Sequence, residues 1–232
     1  MKILNLTLLF IFTSLCLTKA QDKAEKDYKV VYSQSFSKSK SCDDFHFSDT
    51  PKWLISKNGK SGKSLKCLGS GDYKAPHEGP SVMAILKNIK LEDFIVEMDV
   101  VQNGKDFNLL DFCIFFGMQD TAHYAFAQIA GHADKDTHNV FVMDGDKRRR
   151  IGEVNDKGVI WRLNEWQNIR MECMASENSV KVYFDDELVM ESRGEAFRSG
   201  FIGFGSTSSA LKVDNFKVSA PAFETEEASI FQ

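Results

Sequence analysis

Apolar and polar residues alternate with a period of two along most of this chain. In the run from Phe94 to Val101, Phe94, Val96, Met98 and Val100 fall on one side, and Ile95, Glu97, Asp99 and Val101 on the other. Val180, Val182 and Phe184 share a side opposite Lys181 and Tyr183, before Asp185-Asp186 turns the chain into Leu188-Val189-Met190. Successive side chains leave a strand on opposite faces, so this period predicts strands with one buried face. Further runs rich in Val, Ile, Phe and Tyr cover 30–36, 64–68, 82–86, 111–116, 124–130, 139–143, 150–154, 166–174, 200–205 and 211–218. Clusters of Gly, Asn, Asp and Ser separate them. No window sustains a 3.6-residue period with caps. In the last run Leu211 and Val213 share a side, but Phe216 and Val218 sit one position out of phase. One extra residue at Asp214-Asn215, a β-bulge, returns both pairs to the core. About a dozen strands at short spacing, with no internal repeat, predict an all-β antiparallel sandwich or barrel.

The two ends read differently. Met1 and Lys2 give a positive start, residues 3–17 are almost wholly apolar, and Thr18-Lys19-Ala20 places small residues three and one positions before Gln21. That is the layout of a secretory signal cleaved after Ala20. The apolar run is about 15 residues, short of the roughly 20 that a spanning helix needs. Cys16 follows the bulky Leu15, which disfavours lipid attachment there. The expected organisation is a signal peptide at 1–20, a polar lead-in at 21–28, one sandwich domain at 29–220 and a tail at 221–232. The tail turns from acidic to apolar and reads as loose. The expected location is secreted or periplasmic, with no membrane contact after cleavage.

Charge narrows the partners. The 232-residue chain carries a formal charge of −4, and cleavage removes two more positive charges with Lys2 and Lys19. An acidic surface repels phosphate backbones, which argues against nucleic acid. The basic run Lys147-Arg148-Arg149-Arg150 adjoins Asp144 and Asp146 and reads as a solvated hairpin turn, with an anion or uronate contact as the alternative. Four cysteines remain after cleavage. Cys113 and Cys173 sit inside apolar runs, as buried thiols do, whereas Cys42 and Cys67 lie in loop-like surroundings where a bridge between them is an option.

From about Phe45 onward the order of features resembles the concanavalin A-like lectin/glucanase superfamily, a jelly roll of the laminin-G-like kind, and the likeness covers roughly residues 30–219. The resemblance is carried by Asp43 to Asp49 leading to Trp53, by Asp93 to Val100, by Trp166 to Arg170 and by Val180 to Asp186. Gly200 to Gly205 and Val213 to Val218 complete it. The run from Asp111 to Asn139 is also similar to a group of uncharacterised exported bacterial domains. The superfamily holds lectins, glycosidases, lyases and adhesion modules, so the resemblance implies a fold more than a function.

Three sets of residues are candidates for chemistry. Retaining glucanases of the superfamily carry two carboxylates on one strand face as nucleophile and acid/base. Glu97 and Asp99 match the start of that pattern, but Val101 and Gln102 stand where the second Glu would be, so the double displacement fails. The second set is polar and aromatic: Asp111, His123, Tyr124, Gln128, His138 and Asn139. Sugars are held by aromatic faces on CH-rich rings and by Asn, Gln, Asp and His on hydroxyls, so these six are expected to line an open trough. A Tyr with a His also suits a lyase, in which a base removes the proton beside a uronate carboxylate. Third, the resemblance implies a structural calcium at the sandwich edge, with Asp214 in the matching position and Asp43, Asp44 or Asp49 to join it. The alternation His132-x-Asp134-x-Asp136-x-His138 offers a weaker metal set in a loop. The expected function is an exported carbohydrate-binding module. A glycoside hydrolase or polysaccharide lyase is one rival. A structural or adhesion module is the other, with its widest face filled by apolar side chains or covered by a loop.

Overall fold

Two antiparallel sheets account for nearly all of the regular structure. The computed structural model describes residues 27–231 apart from 39, 105, 107, 108, 154–156 and 196, so the signal segment and most of the lead-in lie outside the described residues. In chain order the strands are β1 (Lys29–Gln34), β2 (Phe45–Phe47), β3 (Trp53–Ser56), β4 (Ser64–Cys67) and β5 (Val82–Leu91). There follow β6 (Asp93–Gln102), β7 (Asp111–Met118), β8 (His123–Ala130), β9 (Asn139–Asp144) and β10 (Arg149–Arg150). The last five are β11 (Gln167–Met174), β12 (Ser179–Phe184), β13 (Glu187–Arg193), β14 (Gly200–Ser206) and β15 (Leu211–Ala220). The eight-stranded sheet runs β13-β12-β11-β6-β15-β4-β3, with β1 also on β15, and the seven-stranded sheet runs β10-β9-β8-β7-β14-β5-β2.

The turns follow from their residues. Asp185 and Asp186 both take positive φ (47° and 67°), the conformation of the two-residue hairpin turn whose twist matches its strands. Along β15 the register against β6 shifts between Asp214 and Lys217, and Asn215 has a φ of 50°. The expected bulge is there. It leaves Leu211, Val213, Phe216 and Val218 all buried, and it lets β15 serve β4 with its first half and β1 with its second. Among the described residues of the run expected at 150–154, the strand pairing is that of Arg149–Arg150 with β9, and Ile151 and Gly152 continue with main-chain bonds to Val140.

Between the sheets lies the main core. Its centre is a knot of rings around Phe204, whose centroid is 5.1 Å from Phe216, 5.6 Å from Phe45 and 6.1 Å from Trp53. The far side of the seven-stranded sheet is apolar too. Met83 and Ile85 of β5, Phe115 of β7, Tyr124 and Phe126 of β8, Phe141 and Met143 of β9 and Phe201 of β14 form a second buried cluster. Alternation therefore puts apolar side chains on both faces of this sheet, and each face needs a cover. The eight-stranded sheet covers one. The other is covered by the loop at 68–81 and by the end of the chain, whose Ala228 and Ile230 are buried in that cluster. The expectation of a loose tail is thus corrected: its apolar half docks on an apolar face that nothing local to the tail reveals.

The eight-stranded sheet shows the opposite behaviour on its outer side. Lys217 pairs with Glu97, Lys60 with Asp99 and Arg170 with Glu172, while the Arg170 guanidinium lies 5.2 Å from the Tyr183 ring centre. This is a solvated strand face laced with ion pairs. All four described cysteines are free thiols. The Cys42–Cys67 bridge is corrected because Cys67 points into the core from β4, with its sulfur taking the Gly69 N–H at 3.4 Å.

Removing the ring at the centre of the main core tests this packing. Phe204→Ala is expected to cost about 3–5 kcal/mol through lost burial and the cavity left behind. Urea unfolding followed by circular dichroism should show the midpoint fall with little change of slope.

Candidate functional site

The six residues expected to line a trough come out in two groups. Asp111, Gln128, His138 and Asn139 are each at most 4% exposed. Asp111 starts β7 and caps the turn after β14: its carboxylate accepts from the Ser206 hydroxyl, from the Thr207 N–H at 3.1 Å and from Gln128 Nε2 at 2.9 Å. His138 Nδ1 accepts the Ala130 N–H at 3.1 Å, and its ring also bonds the Val189 main chain. Asn139 Nδ2 donates to the Glu153 carbonyl at 3.1 Å and its Oδ1 accepts the Val140 N–H at 2.8 Å. Polar groups taken out of water need partners, and these four find most of theirs in the protein. The expectation of an open trough is corrected: alternation assigns Tyr124, Phe126 and Gln128 to one face but is silent on the loop and tail that roof that face.

His123 and Tyr124 meet a smaller cleft at the sheet edge. It lies among the β7–β8 turn, the end of β9, Arg149 of β10 and the side chains of Glu195, Phe197 and Arg198. His123 is partly exposed, and its Nδ1 lies 2.9 Å from both Asp120 oxygens, which leaves Nε2 as the ring atom available to a visitor. Gln119 donates to the Ser199 carbonyl at 2.6 Å. Arg149 holds Glu195 through two bonds at 3.0 and 3.2 Å. Arg198 and Asp144, by contrast, are 3.9 Å apart and each about two-thirds exposed. Phe197 supplies apolar surface to the cleft and is itself steadied by Phe116 at 5.3 Å. A cation and a carboxylate too far apart to bond fully, beside a histidine and aromatic carbon, can share a hydroxyl between them.

Most of this cleft was out of reach of pattern reading. The basic run at 147–150 gave one hint through Arg149. Glu195, Phe197 and Arg198 sit in a stretch without period, and it is folding that brings them to strands some 50 residues earlier, as in the Arg149–Glu195 pair 46 residues apart.

The carboxylates proposed for other chemistry are occupied. Glu97 and Asp99 each hold a lysine, at 2.6 and 2.8 Å, and Asn215 Nδ2 also donates to Asp99 at 2.7 Å. Asp214 is fully buried, and its oxygens accept the N–H groups of Lys60 at 2.8 Å, Ser61 at 3.0 Å and Asn215 at 2.8 Å. Three N–H dipoles converging on a carboxylate present positive charge where calcium would sit, so the site does not fit the ion. Asp44 is engaged elsewhere, by the Tyr32 hydroxyl at 2.8 Å and Gln34 Nε2 at 3.2 Å. It opens on a second, wider groove of about 610 Å³ bordered by Lys38, Lys40 and Lys217. In the His132–His138 loop, Asp134 Oδ1 takes the Asp136 N–H and the Thr137 hydroxyl, and His138 points inward. Among the described residues no three His, Cys, Asp or Glu side chains group as metal ligands.

Burial holds the His138 ring below its ordinary pKa of 6.5. The unfolded chain then binds a proton in a range where the folded one does not. Stability from this group is complete above pH 6.5 and falls as pH drops below it, by at most about 1.4 kcal/mol per unit. His46 shifts the same way, mainly through burial. Urea midpoints at pH 7.5, 6.5 and 5.5 should fall in that order, and His138→Gln should flatten part of the slope. Asp214→Ala, which strands three N–H groups, is expected to cost about 2–4 kcal/mol in the same assay.

No protein-family model matches the chain, and no curated protein matches it in sequence. Solved structures do resemble it. A carbohydrate-binding module, CBM66, from Bacillus subtilis superposes with a TM-score of 0.54 at 14% identity, covering 76% of this chain and 96% of its own. A B. subtilis protein of unknown function with a galectin-like fold gives 0.55 at 10% identity, over 84% and 99%. A GH43 protein from Bacillus licheniformis gives 0.56 at 10% identity, over 81% of this chain and 39% of that one. At such identities the likeness concerns the fold alone. In fold, the chain is a two-sheet antiparallel β-sandwich, like the carbohydrate-binding module and the galectin-like protein it superposes on.

Proposed function

We propose that this protein is an exported carbohydrate-binding β-sandwich that holds sugar in the cleft between His123, Asp144 and Arg198. The observation that carries the reading is the loose Arg198–Asp144 pair, 3.9 Å apart and open to solvent, set beside His123 and the Phe197 wall. A pyranose or furanose ring presents vicinal hydroxyls that donate to a carboxylate and accept from a guanidinium at once. Its CH face suits an aromatic wall. The fold it shares with a carbohydrate-binding module lends support, and the apolar run followed by Thr18-Lys19-Ala20 supports export. Arg149 and Glu195 neutralise each other, so they shape the rim rather than draw charge. Arg198 and Asp144 balance each other's charge in the same way, so the cleft suits neutral sugars.

A glycan array spanning neutral and uronate-containing oligosaccharides, followed by calorimetry on the best ligand, tests this. Arg198→Ala should weaken binding at least about 10-fold, equivalent to about 1.4 kcal/mol, with an unchanged melting temperature because the side chain is exposed. Lys40→Ala, in the separate groove beside β1, should bind as the parent does. Absence of any glycan ligand would sink the function. Loss of binding in Lys40→Ala but not Arg198→Ala would move it to the other groove.

A further inference from the structure

The end of the chain is bound to the fold as a ligand is bound. Glu224 makes one pair of main-chain hydrogen bonds with Lys90 of β5, both 3.0 Å. Residues 221–227 are exposed, and then Ala228 and Ile230 are buried on either side of the exposed Ser229. Phe231 meets the Tyr73 ring of the roofing loop edge-on at 5.4 Å. The acidic lead of the segment finds positive charge: Lys90 Nζ pairs with Glu226 at 2.6 Å while lying 5.1 Å from the Phe201 ring centre. The His46 ring bonds the Ala228 main chain. Each contact is of a kind that an extended peptide makes with a receptor: a short stretch of strand pairing, alternate apolar side chains in a hydrophobic seat, and an ion pair at the mouth.

Phe115, Phe126, Phe141, Phe201 and three methionines build the cluster, and uncovering it exposes roughly several hundred Å² of apolar surface, the size of patch that marks an interaction site. Methionine-rich seats adapt to varied side chains. The Tyr124 hydroxyl, on a residue 3% exposed, has no hydrogen-bond partner among the described residues, and it lies where a Cβ on Gly79 of the roofing loop would come within 2.4 Å.

We propose that the outer face of the seven-stranded sheet is a peptide-binding face, occupied in cis by Glu224–Phe231 and open to an extended peptide of the same chemistry. That chemistry is an acidic lead followed by alternating small or branched apolar residues and an aromatic end. The linked segment competes at the high effective concentration of a short tether, so the face is closed by default and opens only to a partner that outcompetes it.

The test uses the full chain. Hydrogen exchange on the parent should show amides of 225–231 exchanging at least about 100-fold faster than those of Phe115 and Phe126, because the segment opens locally while the sheet stays folded. A labelled synthetic peptide of residues 223–232 should then bind the Ile230→Asp chain saturably at one site, and the parent at least 10-fold more weakly. Lys90→Ala added to Ile230→Asp should weaken the peptide further. Equal slow exchange of tail and sheet amides would overturn the proposal, since the segment would then be an integral part of the fold. So would a folded Ile230→Asp chain that ignores the peptide. If Ile230→Asp fails to fold, that too makes the segment integral and overturns it.

Discussion

Everything in this molecule depends on one sheet being apolar on both sides. A strand shows alternate residues to opposite faces, and when both sets are apolar the sheet must be enclosed twice. Between β5, β7, β8, β9 and β14, one set (Ala84, Ile114, Phe116, Ala127 and Val140 among them) faces the eight-stranded sheet. The other set (Met83, Phe115, Phe126 and Phe141 among them) faces the roof made by the 68–81 loop and the tail. The eight-stranded sheet has no such need. Its outer side carries lysine, arginine and glutamate in pairs across neighbouring strands, which water serves well. The asymmetry decides where a partner can approach.

Polar residues inside this frame do structural work first. Asp111 gathers Ser206, Thr207 and Gln128 around one carboxylate and so ties the start of β7 to the turn between β14 and β15. Asp214 does the same for the loop at 59–61 from the bulge of β15. In both, a charge taken out of water is repaid by several aligned N–H or O–H donors, the condition under which a buried carboxylate is tolerated. Residue types suited to sugar or metal binding are equally suited to these caps, and neighbouring donors decide between the two roles.

What remains for binding is therefore at the rim. Turns and the segment around Glu195 to Arg198 bring charges that are only partly paired to the end of the β8–β9 hairpin, where the covered face gives way to solvent. A sheet with both faces committed to packing leaves its edges and loops for direct contact with solvent partners, as rigid scaffolds commonly do.

The residues by themselves determined the strands, the bulge at Asp214-Asn215, the Asp185-Asp186 turn and the two-sheet class. Each of these is local: a period of two, a phase slip of one, a pair of residues that tolerate positive φ. The strands β2 and β3 were visible only as aromatic markers, because runs of three or four residues hold too few positions to display a period. The candidate site was legible in part. His123, Tyr124 and Arg149 do border a cleft, whereas Asp111, Gln128, His138 and Asn139 are closed in. The tertiary structure alone decided that difference, and it also seated Ala228 and Ile230 on a face assembled from β5, β7, β8, β9 and β14. Alternation along a strand fixes which side chains lie together, but what covers them is set by segments distant in sequence, and exposure is a property of the cover.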